Sequence, residues 1–161
     1  MTKPVVHAFI DAQNVQQGIT AQGWQYDLNK LRVYLSDKYG VTHAHFFIGH
    51  VPANQNLYTA IQTAGFTLQF REVRQMPNGD LKGNVDVNLT LQAVDSIEDY
   101  DKALLLSADG DFAPLVRYWR AKGKFSAIMS PATVQRTSRL LKRDCSGKIS
   151  YMCDIRHKIE R

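Results

Sequence analysis

The 161-residue chain predicts a three-layer α/β fold, with a mostly parallel central sheet covered by helices on both faces. Two observations carry that prediction. Continuous apolar runs at residues 5–10 and 103–106 read as strands buried on both faces, as they are in parallel sheets. Between such runs lie segments with apolar residues at helical spacing. Strand and helix alternating this regularly imply right-handed βαβ crossovers in one sheet.

The elements follow in order. Residues 5–11 read as the first strand. Residues 27–39 read as a helix, with Leu28, Leu31, Leu35 and Tyr39 at helical spacing, Asp27 as its cap and Gly40 as its stop. A strand at 41–48 leads to a helix at 54–64, which places Leu57, Tyr58 and Ile61 on one face, and residues 66–73 alternate as an exposed edge strand does. Residues 74–84 read as a loop around the turn signal Pro77-Asn78-Gly79-Asp80, a flexible flap near Asp86. The remaining pattern is a helix at 85–97, a strand at 103–107, a helix at 112–121, a strand at 125–129, a helix at 133–142 and a short strand at 149–153. Nothing repeats and no segment is of low complexity, so residues 1–161 read as one domain.

No apolar run approaches the roughly 18–20 residues of a membrane helix, and Met1-Thr2-Lys3-Pro4 leads straight into a strand pattern, so a cytoplasmic protein with no membrane partner is expected. Cys145 and Cys153 are too few for a disulfide framework. With His157 they lack the fourth ligand and tight spacing of a zinc site. The net charge is +5 at pH 7 and the isoelectric point lies near 9.3. The basic excess is densest at Arg136, Arg139, Lys142 and Arg143, with Arg71, Arg74, Lys82, Arg117, Arg120, Lys122 and Lys124 elsewhere. Such a distribution suits a polyanion, although a charge run is equally the solvated face of a helix.

Four carboxylates stand where strand patterns end or helix patterns begin: Asp11, Asp86, Asp109 and Asp111. Carboxyl ends of strands in open α/β sheets are where ligands bind, so residues distant in sequence converge there. Carboxylates facing one another repel unless a cation sits between them, and a divalent metal is the simplest resolution. Asn14, one turn after Asp11, supplies an amide for a phosphate, a water or a neighbouring carboxylate, or else caps a helix. Asp86 interrupts apolar residues at a helix start, where the helix N-terminus also favours a negative charge. Ser107-Ala108-Asp109-Gly110-Asp111-Phe112 is the sharpest local signal: two carboxylates separated by one glycine bracket a single cation, with Gly110 permitting the tight turn. No calcium-loop pattern continues from it, so the site must be completed by other segments.

Taken together, F-I-D-x-x-N, K-G-x-V-D-V-x-L and S-x-D-G-D-F-x-P-L, in that order and across almost the whole chain, resemble the NYN domain, the group of PIN-like ribonucleases that includes the LabA-like bacterial proteins. The resemblance implies a PIN-like, Rossmann-like fold and a pocket in which Asp11, Asp86, Asp109 and Asp111 bind Mg²⁺ or Mn²⁺, with Asn14 in support. It also implies cleavage of RNA phosphodiester bonds, with single-stranded RNA as the partner. In such chemistry the cation acidifies a water and neutralises charge developing on the phosphate. Lys82, Arg136, Arg139, Lys142 and Arg143 are the expected nucleic-acid contacts. No covalent nucleophile is needed, and His7, His43, His45 and His50 read as ordinary residues. Trp24, Tyr26, Tyr118 and Trp119 either stack bases or belong to the core. The alternative from another class is a non-catalytic RNA- or metal-binding regulatory module of the same fold. Phosphatase and Toprim-like readings fail on Asp11, where the former want D-x-D-x-T and the latter a glutamate. The RNA target, the mode of cutting, the number of metals and the oligomeric state are not legible in the sequence.

Overall fold

The computed structural model describes residues 2–72, 74–75, 77–78, 81–82 and 85–161. Six strands form one parallel sheet: β1 (Val6–Asp11), β2 (Val41–His50), β3 (Thr67–Glu72), β6 (Lys102–Leu106), β7 (Phe125–Ser130) and β8 (Ile149–Tyr151). Their spatial order is β3-β2-β1-β6-β7-β8. Counted among themselves, these strands run 3-2-1-4-5-6, the doubly wound order, in which the chain reverses direction between β1 and β6. All six residues of β1 are buried, as are the last four of β6, which explains why both read as unbroken apolar runs. The expected edge strand is indeed at an edge, as β3.

Helices cover both faces. On one side α1 (Ala12–Thr20), α2 (Leu28–Tyr39), α3 (Gln55–Thr63) and the short α7 (Arg156–Ile159) bury Val15, Ile19, Leu31, Leu35, Tyr58, Ile61 and Ile159 against Ala8, Ile10, Leu104 and Leu106. On the other, α4 (Val85–Asp95), α5 (Ala113–Ala121) and α6 (Arg139–Asp144) bury Leu89, Val116, Trp119 and Leu141 against Phe9 and Leu105. The alternation of Ala8 and Ile10 with Phe9 along β1 is what divides the two cores. Asp27 caps α2 by accepting from Lys30 N, and Gly40 ends it in the left-handed region at φ 69°, as its sequence foretells.

Four expectations change. Helix α1 is absent from the sequence reading, because Gln13, Asn14, Gln16, Gln17 and Gly18 leave only Val15 and Ile19 as an apolar pair. Its cap is Asp11, not Asn14. Within residues 74–84, read as a loop, β4 (Arg74–Gln75) and β5 (Leu81–Lys82) pair antiparallel, with Arg74 opposite Lys82. Gly79 and Asp80 of the turn, and the Gly83 and Asn84 that follow, lie outside the described residues. The helix read at 133–142 is broken. Thr133–Arg136 is a turn, and α6 starts only at Arg139, because Thr137 Oγ1 bonds Ser130 Oγ at 2.6 Å and the Ser138 N–H donates to the Ala108 carbonyl at 3.1 Å. Hydroxyl side chains that bind the backbone and one another compete with helix in this way. Last, the chain leaves β8 at Tyr151 and winds into a 3-10 turn and α7, whereas the sequence suggests strand to residue 153.

Candidate metal centre

The site grows from the reversal between β1 and β6. Asp11 ends β1 and is buried, and it points to the same face as Phe9, toward the first turn of α4. Asp86 sits in that first turn, one residue after the buried Val85. Asp109 follows β6 by three residues and caps a 3-10 turn, its Oδ1 accepting from the Asp111 N–H at 2.9 Å. One carboxylate oxygen from each of Asp11, Asp86 and Asp109 lies within 4.8 Å of the others. Three segments separated by 75 and 23 residues thus meet at one point.

Their electrostatics are those of crowded acids. Burial, opposed by hydrogen bonds from the Asn14 N–H and the Ser107 hydroxyl and assisted by the charge on Asp109, pushes Asp11 up to about 6. Burial, then the charges of Asp11 and Asp109, pushes Asp86 up to about 7. None of the three is paired with a basic side chain in an ion pair among the described residues. Convergent oxygen donors with no counter-charge among the described residues fit a hard divalent cation. Asp111 lies outside this triad: it is exposed, at the rim, and acts on Asp86 only through its charge.

The Asn14 carboxamide is engaged by the neighbouring turn and not by a carboxylate. Its Oδ1 accepts from the Ala108 N–H at 2.8 Å and from Ser107 Oγ at 3.3 Å, stitching α1 to the turn that carries Asp109. Ser107 is the residue that sequence reasoning misses. Fully buried, its hydroxyl also accepts from the Asp109 N–H at 3.1 Å, so it links Asn14, Asp11 and Asp109. A serine two residues before D-G-D, at the end of an apolar run, was the only signal.

Gly110 serves a purpose other than the one its sequence suggests. Its φ is not positive, so no special backbone conformation is required. A Cβ there would collide with Ser138 Oγ, which caps α6 through the Leu140 N–H. Ser138 at the end of the 133–138 loop therefore rests directly on the acidic turn, with Arg136 two residues before it and Arg139 directly after it. Neither of these arginines makes an ion pair among the described residues. The other two members of the basic run are occupied. Arg143 binds Asp144 through Nε at 2.9 Å, with Arg117 completing the clamp at 2.7 Å, and Lys142 Nζ donates to the Val134 carbonyl at 2.8 Å. Lys82 ends the small hairpin, and its side chain lies outside the described residues. Trp24 and Trp119 are core residues and offer no stacking face, whereas Tyr26 is half-buried.

Among the described residues, no helix is long and apolar enough to cross a membrane. The sequence matches the family model of the NYN domain over residues 6–153. It is 26% identical over 163 residues to the low amplitude and bright protein LabA of Synechococcus elongatus, covering 95% of this chain and 86% of that protein. Among solved structures it is similar to a protein of unknown function from Vibrio parahaemolyticus, with a TM-score of 0.77, 24% identity and full coverage of both chains. At that identity the likeness shows the fold alone.

Proposed function

Because the chain belongs to the NYN domain family, a branch of the PIN-like nuclease superfamily, we propose that it is a ribonuclease dependent on Mg²⁺ or Mn²⁺. The observation that carries this reading is the meeting of Asp11, Asp86 and Asp109 at the sheet's reversal point with no basic partner among the described residues. A divalent cation held there supplies Lewis-acid stabilisation of a phosphate and acidification of a water. The chain's own residues do the rest. Asp11, Asp86 and Asp109 present oxygen ligands, Asp111 adds negative charge at the rim, and Asn14 with Ser107 fixes the spacing between the β1 and β6 segments. Arg136 on the adjoining loop and Arg139 at the start of α6, neither in an ion pair among the described residues, hold neighbouring phosphates of a single-stranded RNA.

The test is cleavage of labelled single-stranded RNA with Mg²⁺, with Mn²⁺ and with chelator, using Asp11→Asn as the control. Cleavage that needs the ion and vanishes in the variant is expected. Equal cleavage by the variant overturns the site. RNA that is bound but never cut with either ion replaces the enzyme with a binding module of the same fold.

A further inference from the structure

A cleft of about 980 Å³ runs along the carboxyl ends of β1 and β2, between α1, the start of α2 and α3. Ala12 and Gln13, directly after Asp11, and Val85, directly before Asp86, are among its lining residues. The cleft therefore reaches the residues that flank two of the three carboxylates.

Its chemistry differs from that of the pocket. Gln13, Gln17, Asn29, Asn54 and Asn56 line it, and none of their carboxamides bonds another described residue. Two more amides are already engaged: Gln16 Nε2 donates to Thr20 Oγ1 at 3.0 Å, and Gln25 Oε1 accepts from Arg161 at 3.2 Å. Beneath them Ile48 and the exposed Leu57 present apolar surface over the core residues Phe46 and Ile61, and the half-buried ring of Tyr26 stands at the side. Charge is nearly absent. Among the described lining residues only Asp27, engaged in capping α2, and Arg161 contribute it.

These features select among ligands. A phosphate backbone calls for several cations, which this cleft lacks. A purely apolar ligand would strip water from five amides and return no hydrogen bond. A nucleobase satisfies both surfaces. Its face lies on Ile48, Leu57 and Tyr26, and its edge meets carboxamides, each of which carries donors and an acceptor in one plane.

We propose that this cleft seats an unpaired RNA base adjoining the phosphate held at the acidic pocket, and that its carboxamides read the edge of that base. The inference rests on the ribonuclease reading for its choice of ligand. It assigns sequence preference to a nucleotide beside the cut, on a surface separate from the arginines that hold phosphates.

Binding is measured by fluorescence anisotropy in the Asp11→Asn protein with Mg²⁺, so that cleavage does not intrude. The probes are a labelled hexauridylate, the same hexamer with A, C or G at one central position, and a hexamer abasic at that position. One base is expected to bind about tenfold more tightly than the others, the scale of one bidentate contact. Gln17→Met with Asn56→Leu, and separately Gln13→Met with Asn29→Leu, replace exposed amides by side chains of similar size. At least one pair should erase the preference and leave the dependence of affinity on salt as it was. The cleft is overturned if the abasic hexamer binds as well as the best RNA, if no base is preferred, or if both pairs keep the preference. RNA cleaved by the wild type with its preference untouched by either pair sinks the cleft alone. A preference erased by the variants in a protein that never cleaves sinks catalysis alone. No affinity for any hexamer overturns both.

Discussion

Asn14 accepts the backbone N–H of Ala108 at 2.8 Å, so the helix that follows Asp11 is tied to the turn that carries Asp109. The spacing of two carboxylates therefore depends on a neutral side chain. Asn14→Ala leaves that N–H without its acceptor in a part-buried place. A loss of about 1–3 kcal/mol in urea unfolding is expected. The rise in Tm on adding Mn²⁺ should shrink as well, which a purely structural loss elsewhere would not cause.

The metal response should depend on pH. Asp11 and Asp86 are raised to about 6 and 7, so protons compete with the cation for both below neutrality. Mg²⁺ or Mn²⁺ should raise Tm at pH 8 by mass action and have little effect at pH 5. Without metal the sign is reversed. A carboxyl group whose pKa is raised on folding gives its full stabilisation below its ordinary pKa of 3.8, and this is lost as pH climbs through 6 and 7. For the buried Asp11 the loss is on the order of 3 kcal/mol. Asp11→Asn and Asp109→Asn should consequently stabilise the metal-free protein at pH 8 while abolishing or blunting the metal shift. Metal shifts unchanged in Asp11→Asn, Asp86→Asn and Asp109→Asn alike contradict a shared site.

A second titrating cluster works in the opposite direction. At the other end of β1, His7 Nδ1 meets His45 Nε2 at 3.0 Å, and His43 packs 4.5 Å from the His7 ring. Burial, then the neighbouring His45 and His43, lowers His7 to about 4, with Asp99 pulling the other way. A histidine whose pKa falls on folding contributes stability above its ordinary pKa of 6.5 and loses it as pH drops toward 4. Tm scans between pH 7 and 4 should show this loss in Asp11→Asn, where one opposing carboxylate is gone. His7→Gln in that background should flatten the curve; an unchanged slope would assign the acid lability to other groups.

The basic run should divide into two functions. Arg136→Ala with Arg139→Ala is expected to weaken RNA binding and to reduce the salt slope by about 0.7 for each phosphate that an arginine no longer neutralises. Arg143→Ala should act on the fold. It removes part of the clamp on Asp144, whose carboxyl is held down at about 2 chiefly by the Arg143 hydrogen bond. Lower Tm with an unaltered salt slope is the expected signature. A reduced slope in Arg143→Ala would return that residue to the RNA surface.

Much of this architecture was legible locally. Asp27 and Gly40 bound α2 because a cap and a left-handed glycine act within one turn of chain. The apolar runs of β1 and β6 announced buried parallel strands, and the acids after them announced the site's edge. Helix α1 was not legible, since amides hold most of its exposed positions and its helical state depends on burying Val15 and Ile19 against the sheet. Residues 133–142 misled in the other direction. Their composition permits a helix, but Thr137 and Ser138 are captured by Ser130 and Ala108, neighbours from β7 and the β6 turn.

By itself, then, the sequence determined which carboxylates stand at strand ends and helix starts, because hydrophobic periodicity and capping are properties of neighbouring residues. Only the tertiary structure decided that Asp11, Asp86 and Asp109 form the triad while Asp111 stays at the rim, since that depends on β1 lying beside β6 and on the first turn of α4 meeting them. It also decided that, among the described residues, Arg136 and Arg139 make no ion pair whereas Lys142 and Arg143 are engaged, and that Gly110 is needed for Ser138 rather than for its own backbone. Each of these turns on the packing of segments far apart in the chain, and no local pattern of residue types encodes the distance between them.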